Sequence, residues 1–410
     1  MGDNDALRAH PDEIAGISGV YRDIGTDLTS IAGYINNHGT PSNKMMGEII
    51  AAIVPAVTNL RDSANQSTKN YSSAAEGTAI NLNRAAWMYH DTDQRNYAAL
   101  NSHTISIAGR ESDSSIAGQG ITENYPNPVS YTGPEGIILP PPDGLEENLV
   151  KAIEDKTGWL GDFNEGIRLA TDDKWSPLGQ LFEPLEGNWN EFRRLGGAYR
   201  AYGNAMEASS KNVSWSALQL GNFWDGKAAI AFENYAQDLS RSIQWWGPVG
   251  RSVDHVFTII AEEVTKGCLA IAMKLKDMLE KEVDVTDGKN VVKIALKKVP
   301  VLGTTWQLVS LGNICLQVWN TIKPILDKIR DLIKSAKNLL EKISSKDKPK
   351  SEMGQVNETI SSFTDDLVDA HKVAVISNEL NQVWENSDSQ NGDQTRKFNV
   401  GAGANPWEGN

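Results

Sequence analysis

The sequence predicts an all-α protein: two long antiparallel helical hairpins packed as an elongated bundle, plus a C-terminal amphipathic helical region. Three observations carry this. Apolar residues recur at steps of three and four over most of the chain. No stretch of useful length alternates apolar with polar residues. The breaks between the periodic stretches hold Gly, Pro, Asn and Ser, which turn a chain.

The first hairpin lies in residues 1–108. Ile14, Ile17, Tyr21, Ile24, Leu28, Ile31 and Ile35 form an unbroken seam of alternating three- and four-residue steps, the pattern of a helix lying lengthwise on a partner. Turn residues fill 38–43. A second series follows: Met46, Ile49, Ile53, Val57, Leu60, Ala64, Tyr71, Ala75, Thr78, Leu82, Ala85 and Tyr89. Its later half is rich in small residues, which lets helices approach closely, and Pro55 is expected to kink it near its start. A short turn makes the two helices antiparallel.

Residues 109–184 change character. Pro126, Pro128, Pro134 and the run Pro140, Pro141, Pro142 mark a linker, partly extended and not expected to pack a core, with a short helical piece near 149–170. The second hairpin occupies 185–284. Its outgoing stripe is Leu185, Trp189, Phe192, Tyr199, Tyr202, Met206 and Val213; its return stripe includes Phe232, Tyr235, Leu239, Ile243, Trp246, Val253 and Ile260. The turn spans 220–226, and Gly247 with Pro248 should interrupt the returning helix. In 285–345, Ile325, Ile329, Leu332, Ile333, Leu340 and Ile343 form an amphipathic face backed by lysines. Residues 346–410 are polar and partly disordered, with one further helix near 356–384.

Composition bounds the function. The 410 residues leave room for two or three units, each burying its own core. Lys plus Arg is 39 against 53 Asp plus Glu, a net charge of −14, which argues against binding nucleic acid. The stretch 266–350 runs against this, with 17 basic and 9 acidic residues. Cys268 and Cys315 are too few for a disulfide scaffold or a four-thiolate metal site; two buried free thiols are expected, with pairing after export as the alternative. Residues 1–10 are polar and no apolar leader follows, so no cleavable signal peptide is expected. His-Glu-x-x-His, Gly-x-Ser-x-Gly and Cys-x-x-Cys do not occur, so no enzyme, metal or cofactor is expected. Gly221 to Lys227 fits a phosphate-loop spacing. Ala228 stands where a Ser or Thr must bind magnesium, no strand precedes the loop, and Phe223 and Trp224 would crowd a phosphate.

Two short constellations remain. Trp224, Asp225 and Gly226 sit at the second hairpin's turn: glycine supplies the left-handed backbone, and the indole is a large apolar anchor where a partner could dock. Tyr89 and Asp93, four residues apart, share one face near the end of the first hairpin. Each has an ordinary explanation: a tryptophan in a turn caps the core, and a Tyr–Asp pair decorates a surface. Together they resemble the substrates of the mycobacterial and actinobacterial type VII (ESX) secretion system. In that family a Trp-X-Gly turn on one hairpin and a Tyr-X-X-X-Asp/Glu signal on the other lie side by side as a composite export signal. Trp224 and Gly226 match the first element; Tyr89 and Asp93 match the second. The order is similar to the fused PE–PPE-like family that includes EspB. Residues 1–108 also resemble the EspC family, with Ala85, Ala86, Trp87, Met88, Tyr89, His90, Asp91, Thr92, Asp93 and Gln94 in the signal region. The resemblance covers 1–108 and 185–280. The first hairpin's turn lacks Trp-X-Gly, the linker is long, and nothing after about 285 matches.

The resemblance implies a secreted or cell-surface, virulence-associated, non-enzymatic protein. Its expected partners are the type VII secretion ATPase and a secretion chaperone, with homo-oligomers within the family's range. One segment keeps an alternative open. Residues 299–322 carry no formal charge between lysine-rich flanks. Polar or helix-breaking residues such as Pro300, Gly303, Gln307, Gly312, Asn313 and Gln317 dilute them, which favours a buried core helix over a conditional membrane segment. In the membrane reading Val299, Leu302, Trp306, Leu311 and Trp319 touch lipid, and 285–345 is the pore-forming or toxin-delivery part.

Overall fold

The computed structural model describes residues 8–43, 45, 47–102, 123–144, 185, 187–282, 305–344 and 378; the side chains of 95–102, 279–282, 305–318 and 321 lie outside that description. Among the described residues the only regular elements are helices.

Helix α1 (Pro11–His38) opens on a proline, whose missing N–H costs nothing at the first helical position, and on Asp12 and Glu13, which suit the positive end of the helix dipole. All seven seam residues from Ile14 to Ile35 are buried. A turn and the short α2 (Glu48–Ala51) lead to α3 (Val54–Ser102). The interruption expected at Pro55 is present: α2 ends at Ala51, whose carbonyl would take the N–H that Pro55 lacks, and α3 begins one residue before the proline. Helices α1 and α3 are antiparallel: Ser18 Oγ donates to the Ala79 carbonyl at 2.8 Å, and Ser72 Oγ to that of Gly25 at 2.8 Å.

The second hairpin comprises α4 (Asn190–Leu220), α5 (Lys227–Gln244) and α6 (Trp246–Glu282). The break before α6 falls where Pro248 has no N–H for the Gln244 carbonyl, as the sequence predicts. Helices α4 and α6 meet at glycine: a Cβ on Gly250 would lie 2.3 Å from the Tyr199 carbonyl oxygen. Helix α4 also packs along α1, so the two hairpins share one core.

Helix α7 (Thr305–Ser344) packs on α6 and α3. Its face of Ile322, Leu326, Ile329, Ile333, Leu340 and Ile343 is buried, each side chain contributing about 2 kcal/mol relative to exposure. No helix among the described residues is long and apolar enough to cross a membrane. Trp319 is half-buried against the core. Val299 and Leu302 lie outside the described residues, as do the helices expected near 149–170 and 356–384 apart from Asn378, the tail, and the side chains of Trp306, Leu311 and Cys315. Cys268 is buried and free.

Residues 123–144 correct the expectation of an unpacked linker. They are extended but fastened to both hairpins as a strap. The Asn83 amide of α3 clips one end: its Nδ2 donates to the Glu123 carbonyl and its Oδ1 accepts from the Tyr125 N–H, both at 2.9 Å. Asn212 of α4 repeats the device on the Glu135 N–H and carbonyl, again at 2.9 Å. Between the clips the strap crosses α1 at Gly16, where a Cβ would lie 2.4 Å from the Val129 carbonyl oxygen. It then climbs until Tyr34 donates to the Pro140 carbonyl at 2.7 Å. From residue 129 to 140 an extended chain at about 3.1 Å per residue matches the ~33 Å of helix between Asp12 and Tyr34. Tyr125, Tyr131, Ile137 and Leu139 pack against the core.

Candidate functional site

The turn between α4 and α5 lies against the later part of α3. Gly226 adopts φ 95°, the left-handed backbone for which glycine is suited, and so starts α5 directly behind the turn. That geometry sends Trp224 inward. Its Nε1 donates to the Tyr89 hydroxyl at 3.0 Å, and the two rings meet edge to face with centroids 6.1 Å apart. Trp224 also tilts over Phe232 of α5 at 5.9 Å, and Phe232 meets Tyr21 of α1 at 5.8 Å. Four aromatic rings thus join α3, the turn, α5 and α1. Burial raises the Tyr89 phenol above its ordinary pKa, partly offset by the Trp224 hydrogen bond.

The structure brings Trp224 and Tyr89 into contact across 135 residues of sequence. It does not leave their rings on the surface: Trp224 is 2% exposed and Tyr89 4%. The pair is an internal lock. Asp93, one turn beyond Tyr89, is exposed. The Tyr125 phenol of the strap is raised chiefly by burial, then by the charge of Asp12 and, least, by that of Asp93.

Two further groups at this end were not legible in the sequence. Residues 8–10 run antiparallel to residues 223–225, with Ala9 bridged to Trp224. The Asp225 N–H donates to the Arg8 carbonyl at 2.8 Å and the His10 N–H to the Phe223 carbonyl at 3.2 Å. Arg8 Nε donates to Asp225 Oδ2 at 2.8 Å, and this hydrogen bond holds the Asp225 carboxyl below its ordinary range. Beside them Trp87, His90 and Tyr125 form an aromatic triangle with centroids 5.3–5.9 Å apart. The Tyr125 hydroxyl lies 3.2 Å from His90 Nδ1, and Trp87 Nε1 donates to the Glu123 carbonyl. Extended pairing of three residues leaves no periodic trace, and the triangle needs a strap that composition alone makes a linker.

The rejected nucleotide loop stays rejected: helix α4, not a strand, precedes the turn, and the indole points into the core. No group of three or more His, Cys, Asp or Glu side chains that could hold a metal occurs among the described residues.

Fold and site together define a class: a two-hairpin helical protein whose tryptophan turn is locked onto a tyrosine of the other hairpin. Residues 3–102 match the family described as excreted virulence factor EspC, type VII ESX diderm. The match covers about a quarter of the chain and supports a type VII secretion substrate. No curated protein and no solved structure is significantly similar to the chain.

Proposed function

We propose that this protein is exported by the type VII (ESX) route through a composite signal: Trp224 and Gly226 from one hairpin, Tyr89 and Asp93 from the other. The observation that carries the reading is the 3.0 Å hydrogen bond from Trp224 to Tyr89. The buried pair sets the register of the two hairpins, and the exposed carboxylate beside it, Asp93, is what the secretion ATPase meets. The function is recognition, not catalysis. Cys268, the one cysteine whose side chain is described, has its thiol pushed up to about 12 by burial, which removes the thiolate at neutral pH.

Three variants test this. Trp224→Ala and Tyr89→Ala cost roughly 3–5 kcal/mol of packing but keep the helix content by circular dichroism. Asp93→Ala removes an exposed group and keeps the melting temperature. All three are expected to vanish from the culture supernatant while accumulating in cells. Ordinary supernatant levels for the set would refute the reading. The membrane-acting alternative through 285–345 has less support, because the described apolar face of α7, from Ile322 to Ile343, is buried in its packing on α6 and α3.

A further inference from the structure

We propose that residues 8–10 are a latch that closes over the tryptophan turn, so that the export site has three parts rather than two. Arg8 and Asp225 serve in it as positioning residues. The latch stands on the geometry at this end; its link to export rests on the composite-signal reading.

The turn needs such a partner. Between α4 and α5 the Asn222 and Phe223 N–H groups donate back to the Gln219 and Leu220 carbonyls of α4 and the Gly226 carbonyl accepts from Ile230 of α5, so the helices serve only part of the turn, and its remaining buried or half-buried polar groups require partners. The Phe223 carbonyl and the Asp225 N–H find theirs on residues 8–10, one on each side of Trp224. Ala9, opposite Trp224 in the bridge, packs against the core. The His10 and Phe223 rings meet edge to face at 5.8 Å. Arg8 then holds Asp225 at 2.8 and 3.4 Å, through two of its nitrogens and both carboxylate oxygens.

The latch is also pre-set locally. Pro11 disfavours helical backbone at the preceding residue, and His10 is extended with φ −100° and ψ 102°. One proline therefore starts α1 and straightens the residue that pairs with the turn. Because α1 is fixed in the bundle by its buried seam, the latch is delivered to the turn from a rigid base.

The test is a charge swap in the full chain: Arg8→Glu, Asp225→Arg and the double variant. Both side chains are more than a third exposed, so all three variants fold. Two readouts are taken: hydrogen exchange of residues 221–226, and the amount of protein in the culture supernatant. Each single variant is expected to show several-fold faster exchange in the turn, with α1 and α4 unchanged, and reduced export. The double variant restores both. Unchanged turn exchange in the single variants would overturn the latch. Faster exchange with ordinary export, while Tyr89→Ala still blocks export, would overturn its place in the signal and leave the two-part reading intact. Ordinary export of Tyr89→Ala would mark the failure as that of the composite signal itself.

Discussion

Glu191 and Arg194 place opposite charges in a nearly dry position at the end of the bundle away from Trp224. The Glu191 side chain is 5% exposed and that of Arg194 18%, and they bond at 2.6 and 2.8 Å. Neither spends all its capacity on the other. Arg194 also donates to the carbonyls of His38 and Thr40, and Glu191 accepts from the Ser42 N–H. The pair therefore pins the turn after α1 to the first turn of α4. Removing one partner strands a buried charge, so Arg194→Ala is expected to lower stability by about 3–5 kcal/mol in urea unfolding. Arg194→Ala with Glu191→Ala should recover part of that loss; no recovery would mean that the backbone contacts, not the stranded carboxylate, set the cost. At this scale the sequence is informative about side-chain type and spacing and uninformative about exposure. Trp224 and Tyr89 could be paired from their motifs, but whether the indole faces solvent or core depends on Gly226, Phe232 and residues 8–10 acting together.

Among the elements, the helices were legible because each obeys a local rule. The seam from Ile14 to Ile35 has one period, and the break at Trp245 follows from Pro248. The strap was not legible, because proline-rich composition reports the absence of helix rather than the absence of contacts. Its anchors, Asn83 and Asn212, sit on helices where an asparagine carries no message about a chain lying across it. Its crossing point, Gly16, is one glycine among several in α1. The strap spans both hairpins, so it should stiffen their junction without being required for either to fold. Gly16→Leu must lift the strap from α1 and is expected to cost about 1–3 kcal/mol. Limited proteolysis should then cleave within 123–144 well before the helices are touched. Protection of that stretch equal to the parent protein would show that α1, not the strap, yields to the added side chain.

Across the whole molecule, the proposed export site and the dock of α7 lie apart. Helix α3 alone spans roughly 73 Å. The locked tryptophan turn lies near its later part, whereas α7 docks beside α2, with Arg330 4.0 Å from Glu48 and Ile325 and Ile329 against Gly267 of α6. That docking is not tight everywhere: a cleft of about 360 Å³ remains between α6 and α7, walled by Ala270, Pro324, Ile325, Ile329 and Leu332. Leu326 is fully buried, and Leu326→Ala removes about 2–5 kcal/mol from the α7 interface without adding charge. If the two ends open separately, the amides of 322–343 should exchange faster while those of 221–226 keep their protection and export continues. Equal losses at both ends would instead make the bundle a single cooperative unit. The same variant separates the two functional readings. A pore-forming α7 must leave α6 and α3 before it can reach lipid, so loosening its dock should raise dye release from anionic liposomes at low salt. Loosening without any rise in release would leave α7 as a bundle element and count against the pore-forming reading.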